Sequence, residues 1–410
     1  MMNSTVLVLV FALAVSAIII VAAVLVAGIC SISGRFTFKR TFLKGLWALL
    51  IVPVLLVYGG CIERNMFRVK KVEVESANLP KSFDGYKIVH ISDIHLLSFQ
   101  GRERALNRAV QKINTLEPDI ICFSGDLVTI SSSELTGSAS SSSGIISTAT
   151  SATIHSTTTA TEPQHHSPTA NADNSKLSSK SATGPQSFKD ILSRLHARDG
   201  VFSVLGNHDY CRYGWTPDRN PDKEEAELIA TEHAMGWKVL NDESVTIRRS
   251  GSISIIGVQN ISPSGAFRSH GNLSEAMRNA CGDFKILIAH DPDVWRSAVV
   301  GKDAIDLTLS GHTHAMQLSL FGWTPSRFLF KECWGLYKEC SDYACREEDI
   351  HHSDSNMSKG NGKSACKRKK AGDECYEQFL YVNPGLGETI FPLRIGVMPE
   401  ITLITLKCKD

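Results

Sequence analysis

No charged residue occurs between Met1 and Gly34, and residues 6–30 form an apolar run long enough to cross a hydrocarbon layer of ~30 Å as a helix. A second apolar run, residues 45–62, follows a short basic loop. The start MMNST lacks the positive charge of a secretory signal, and the first run is too long to be the core of one. The pattern therefore predicts a membrane anchor over residues 1–62, with helices at about 6–30 and 45–62, and a juxtamembrane linker over 63–78.

Beyond residue 79 the pattern changes to short apolar runs alternating with amphipathic stretches. Strands are predicted at 86–92, 119–124, 201–205, 252–257, 284–289, 306–309, 378–382 and 401–406. Helices are predicted at 103–115, 188–197, 223–233 and 273–281. Such alternation argues for a layered α/β domain over 79–410 with parallel strands, whose functional groups sit on loops beyond the strand C-termini. Two stretches break the pattern. Residues 131–187 are dominated by Ser, Thr and Ala and cannot bury enough apolar surface to offset ordering, so they read as a disordered insertion. Residues 341–377 form a second, polar insertion, whose His351-His352 pair and Lys367–Lys370 run read as solvated.

Net charge is +1, which provides no overall field for nucleic acid, and no nucleic-acid partner is expected. Arg35, Lys39, Arg40 and Lys44 lie between the two apolar runs. By the positive-inside tendency they place that loop in the cytoplasm and the large domain outside, at an inner, multi-pass cell membrane. Arg64, Arg68, Lys70 and Lys71 act in the opposite sense. Five of the eleven cysteines (Cys333, Cys340, Cys345, Cys366 and Cys375) fall in or beside the second insertion without C-x-x-C spacing, which suits disulfides in an oxidising compartment better than zinc.

Five predicted strands run into metal-capable residues. They deliver Asp93 and His95, then Asp126, then Asn207-His208-Asp209, then His290, then His312 and His314. A single histidine or aspartate at a strand end is ordinarily a turn or cap residue. Independent caps would not need imidazole so often, nor glycine so regularly at 125, 206 and 311. Mixed Asp, Asn and His donors suit divalent Mn, Fe, Zn or Co. In D-x-H and H-x-H the donors leave a strand end on the same side. So many donors exceed one tetrahedral ion and suit two ions sharing a carboxylate, about 3.5–4 Å apart.

The ordered set SDIH (92–95), GDLV (125–128), LGNHD (205–209), AHDPD (289–293) and SGHTH (310–314) resembles the calcineurin-like metallophosphoesterase superfamily. The approach NLPKSFDGYKIVHISDIHL and the tail YVNPGLGETIFPLRIGVMPEITLITL resemble its bacterial membrane-associated or exported branch. The resemblance covers residues 79–406 apart from the insertions and implies a four-layer α/β/β/α sandwich. It implies one metal held by Asp93, His95, Asp126 and His314, and a second held by Asp126, Asn207, His290 and His312. His208 would be catalytic, protonating the leaving oxygen or stabilising its charge.

The implied activity is metal-dependent hydrolysis of a phosphoester or pyrophosphate, and the anchor adds a membrane and a lipid-linked substrate as expected partners. The alternative is a non-catalytic membrane scaffold on the same fold, which would typically have lost ligands; here all seven positions are filled. Two departures stand out. Thr129 occupies a position where many relatives have an Asp paired with the catalytic histidine. Ala315-Met316 replace a usual Gly-Gly, which is expected to reshape the loop beside the metals. Cys122, inside an apolar strand, reads as core.

Overall fold

The computed structural model describes residues 4–34, 37–136, 187–214, 216–341, 376–389 and 391–409. Most of both predicted insertions, with His351-His352, the Lys367–Lys370 run, Cys345, Cys366 and Cys375, lies outside the described residues.

Short runs that are apolar at every position become strands buried on both faces. Along β2 (Lys87–Ile91) and β3 (Ile120–Phe123), successive residues alternate between two cores: Ile88, Ile120 and Cys122 face one, and Val89, Ile91, Ile121 and Phe123 face the other. With β1 (Arg68–Ser76), β4 (Gly200–Ser203), β5 (Lys238–Val239) and β12 (Glu400–Cys408), they form a six-stranded sheet ordered β1-β12-β2-β3-β4-β5. A second six-stranded sheet is ordered β10-β11-β9-β8-β7-β6. Its strands are β6 (Glu243–Arg248), β7 (Ser252–Gly257), β8 (Phe284–Ile288), β9 (Leu307–Ser310), β10 (Gly335–Ser341) and β11 (Tyr376–Val382).

The sheets face one another across a core that includes Ile88, Phe202, Ile255, Phe284, Ile286 and Leu309. Helices cover the outer faces. Beyond the apolar helices α1 (Ser4–Ile32) and α2 (Phe38–Asn65), these are α3 (Glu103–Asn114), α4 (Phe188–Leu192) and α5 (Pro221–Ala234) on the first sheet, and α6 (Leu273–Met277) on the second. In α3, Ala105, Leu106, Ala109, Val110 and Ile113 make one buried stripe; each larger side chain contributes roughly 1.5–3 kcal/mol. The result is the expected α/β/β/α order.

Three expectations need correction. The sheets are mixed: β2-β3-β4 and β7-β8-β9 are parallel, while β12, β6 and β10 pair antiparallel with β2, β7 and β11. The segment expected as a linker instead contains β1, an edge strand in parallel register with β12 (Val72 opposite Ile404, Val74 opposite Leu406). Its charged outward positions, a protection suited to an edge, hid the strand pattern. Among the cysteines, Cys340 is disulfide-bonded, but Cys333 is a buried free thiol. Cys122 is core as expected, and burial pushes its thiol far above the ordinary range.

Val8–Ile32 and Phe38–Asn65 are each long and apolar enough to cross a membrane. The second ends against the domain. Gly59 O accepts from Arg394 N at 3.2 Å, the Glu63 carboxylate accepts from Gly396 N at 2.9 Å, and Arg64 and Arg102 both pair with buried Glu388 at 2.7 and 3.0 Å.

Candidate metal centre

The parallel strands β2, β3 and β4 of one sheet and β8 and β9 of the other end at the same edge of the sandwich, and all seven predicted donors meet there. In one set, His314 Nε2 lies 3.2 Å from Asp93 Oδ1 and 3.1 Å from His95 Nε2. In the other, His290 Nε2 lies 3.2 Å from Asp126 Oδ2, 3.1 Å from Asn207 Oδ1 and 3.2 Å from His312 Nδ1. Asp126 Oδ2 is also 3.6 Å from His95 Nε2, so one carboxylate oxygen faces both sets. His208 falls within a third grouping, with His95 and Asp126.

Tight loops aim these groups. Asp93, His95, Asp126, His312 and His314 all have positive φ, between 45° and 70°. For non-glycine residues this costs of order 1–3 kcal/mol each, and it persists only where surrounding contacts over-determine it. Those contacts are present. Asp93 accepts from Ser92 Oγ and from His312 N at 3.0 Å; Asp126 Oδ1 accepts from His208 N at 2.8 Å. His290 Nδ1–H donates to Ser124 O at 2.8 Å, which aims Nε2 at the site. Asn207 Nδ2 donates to Tyr213 Oη at 2.9 Å, which turns its carbonyl oxygen toward His290. A Cβ on Gly311 would strike Ser92 Oγ and Asp93 Oδ2, so only glycine lets this strand end approach.

Asp209 is not a donor but holds the frame. Its carboxylate accepts from the amides of Asp126, Leu127, Val128 and Gly206 at 2.7–3.1 Å, joining the loops after β3 and β4. Its sequence motif was visible and its task was not, because four amides from two loops meet only in three dimensions. Tyr213, stacked on His208 with ring centroids 4.1 Å apart, carried no sequence signal at all.

Burial opposes ionisation of Asp93 and Asp126, yet His314 beside the first and His290 and His208 beside the second hold both carboxyls well below their usual range. Burial also opposes a charge on His290, but the Asp126 carboxylate outweighs it and raises the imidazole to about 10. Burial, then the charge of His208, drives His95 well down; burial, then His290, takes His312 to about 3. Without an ion the centre thus combines ionised carboxylates with neutral His95 and His312 imidazoles, while His290 keeps its proton toward Asp126, where a cation would replace it. Two imidazole nitrogens 3.1 Å apart, and three donor atoms packed around His290 Nε2, are a donor set that divalent cations fit.

Three sequence expectations change. His208 is oriented, but by the main chain: its Nδ1–H donates to Thr129 O at 2.8 Å, while the Thr129 hydroxyl has no hydrogen-bond partner. Ala315 and Met316 do not abandon the glycine conformation. Both sit at positive φ, 47° and 50°, so the loop keeps a left-handed path at a cost in strain. His312 and His314 are also not simple same-side neighbours; β9 ends at Ser310, and the left-handed residues beyond it send the two rings to different donor sets.

A layered α/β domain with clustered Asp, His and Asn donors at its strand ends defines a class of metal-using hydrolases. Residues 86–316 match the family described as calcineurin-like phosphoesterase, and the chain belongs to that family. It is 27% identical over 382 residues to the Danio rerio "Transmembrane protein with metallophosphoesterase domain", covering 90% of this chain and 63% of that relative, so it spans less than two thirds of its length. It is 25% identical over 382 residues to the "Uncharacterized metallophosphoesterase YkuE" of Bacillus subtilis, covering 90% of this chain and 97% of that one. It is 25% identical over 321 residues to the "UDP-2,3-diacylglucosamine pyrophosphatase LpxG" of Chlamydia trachomatis, covering 67% and 78%. Family membership supports phosphohydrolase activity, and the apolar helices with relatives called transmembrane support membrane association.

Proposed function

We propose that this protein is a membrane-anchored phosphohydrolase that binds two divalent ions and cleaves a phosphoester or pyrophosphate bond, with a lipid-linked phosphate as its substrate. The reading is carried by Asp126 Oδ2, which faces His290 Nε2 at 3.2 Å and His95 Nε2 at 3.6 Å and so belongs to both donor sets. Asp93, His95, Asp126 and His314 would hold one ion, and Asp126, Asn207, His290 and His312 the other. Such an ion pair supplies electrophilic activation of the phosphoryl group and acidifies water. Asp209 keeps the two loops in register, and the Ser124 carbonyl fixes the His290 tautomer. His208, anchored at Nδ1 by Thr129 O, delivers a proton to the leaving oxygen.

Two observations support a lipid-linked substrate: the apolar helices that end on the domain, and the similarity to a protein named a diacylglucosamine pyrophosphatase. The anchor is read as two spans with the domain outside the cytoplasm, which a C-terminal reporter fusion tests. The central test is Asp126→Asn in the full-length protein. We expect the wild type to carry two ions per chain and to hydrolyse nitrophenyl phosphate esters, and the variant to lose both properties together. A variant that keeps both ions and the wild-type rate sinks the proposal.

A further inference from the structure

The segment after the H-x-H motif leaves the metal centre and returns to it. It starts at His314, where Ala315 O accepts from Thr324 Oγ1 at 2.6 Å. It comes back where the Phe330 ring meets the His312 ring edge-to-face at 5.5 Å and Thr313 Oγ1 donates to Cys333 O at 2.6 Å. Between these ties the chain turns outward. Phe321 and Phe328 are 109% and 80% exposed, Leu329 is 69% exposed and Trp323 is 46% exposed. Arg327 and Lys331 are exposed among them. The loop is nonetheless built. Leu320 and Trp323 exchange main-chain hydrogen bonds at 2.9 and 3.0 Å, the Trp323 and Phe328 rings pack edge-to-face, and Thr324 caps the turn that follows.

Its position is fixed by the anchor. Leu318 bridges to Ile395, and Ser319 N donates to Ile395 O at 2.8 Å. The same short stretch meets both apolar helices: Arg394 N donates to Gly59 O near the end of the second, and the Phe391 ring lies 6.1 Å from Phe11 near the start of the first. Residues 391–396 therefore mark the level at which the apolar helices meet the domain, and the exposed loop is laddered to them. A cluster of exposed phenylalanine, leucine and tryptophan interspersed with arginine and lysine is the composition of a segment that sits in a bilayer interface. Isolated exposed apolar residues need no explanation, but a contiguous patch does.

We propose that the loop over residues 316–331 inserts into the surface of the phospholipid bilayer. It seats the donor edge of the sandwich against the lipid headgroups, so that a phosphorylated lipid reaches His312 and His314 from the membrane and not from bulk water. The proposal rests on the reading of this protein as a membrane-anchored phosphohydrolase and specifies where its substrate enters. The basic side chains Arg327 and Lys331 meet the anionic headgroups while the aromatic rings enter the acyl boundary.

The test uses the full-length protein reconstituted into vesicles of phosphatidylethanolamine and phosphatidylglycerol, with and without brominated acyl chains. Trp323 emission is isolated as the difference between the wild type and Trp323→Phe. We expect that difference to be blue-shifted and quenched by bromolipid. In Phe321→Ser, a change at a fully exposed position, we expect the bromolipid quenching of Trp323 to fall roughly twofold or more. Emission quenched by aqueous iodide and not by bromolipid would overturn the proposal by placing the loop in water. Emission shielded from both quenchers would overturn it by showing protein, such as a second copy, covering the patch. The measurement needs no substrate or metal, so its failure is separable from a failure of the hydrolase reading, which ion content and ester hydrolysis decide.

Discussion

His208 and Thr129 divide labour within one hydrogen bond. Because the Thr129 main-chain carbonyl and not its hydroxyl accepts from His208 Nδ1, the side chain at 129 is dispensable for orienting the ring. Thr129→Val should therefore leave kcat within about twofold, whereas His208→Ala should lower it by roughly 10²–10⁴, the usual worth of a positioned acid. Ion content should stay unchanged in both. Steady-state kinetics with metal analysis checks the pair. Equal losses in the two variants would mean that the threonine side chain has a task the main chain does not perform. The carboxylate partner that the family resemblance implies is thus replaced here by backbone, a substitution that the identity of residue 129 could not announce.

Among the elements, the tail loop between β11 and β12 most directly supports the donor edge. Leu386 N and Gly387 N donate to Ser92 O and Asp93 O at 3.0 and 2.8 Å, and Gly385, at φ 82°, lies against Asp93. A Cβ at 385 would come within 2.8 Å of Asp93 Cβ and 3.3 Å of His314 Nδ1. Gly385→Ala adds both that contact and left-handed strain. It should weaken ion retention at the Asp93 set more than at the Asp126 set, read as one ion lost per chain on dialysis. Behind this loop, fully buried Arg394 donates to the carbonyls of Pro384, Gly385, Gly387 and Val397, so the tail is tied to the same stretch that meets the apolar helices. Edge strands β1 and β10 were illegible as sequence for a shared reason. The outward positions of β1 are charged, and β10 interrupts its apolar residues with Lys338, Glu339 and Ser341, so neither carries an unbroken apolar run.

For the whole molecule, stability should depend on pH through Glu232, buried on α5 behind the donor edge. Burial, reinforced by the charge of Asp209, raises its carboxyl to about 8, while Ser203 Oγ donates to it at 2.5 Å. A carboxyl raised on folding binds its proton more tightly in the native state. Its penalty is absent below the unfolded value of 4.5, grows as pH rises toward 8, and is constant above. At full extent it is on the order of 5 kcal/mol. Glu232→Gln should match the wild type in Tm at pH 4, exceed it increasingly up to about pH 8, and exceed it by a constant margin above that. A gap independent of pH would show that Glu232 acts through packing alone.

The sequence by itself determined the layered α/β class, the two apolar helices and the seven donors. Each of these is written in local period or spacing: unbroken apolar runs, short strands, and metal-capable residues directly beyond them. The division of the donors between two sets came from the family resemblance and not from spacing; tertiary structure added how it is built, because His312 and His314 diverge through left-handed backbone that no spacing encodes. It also decided that a main-chain carbonyl orients His208, that Asp209 joins two loops and that Tyr213 turns Asn207. Each of those contacts joins groups brought together by chain folding, not by neighbourhood in the chain. The same holds for the apolar loop after the H-x-H motif, whose residues would read as core in a list of hydrophobics. Only the packing leaves them outside, beside the ends of the apolar helices.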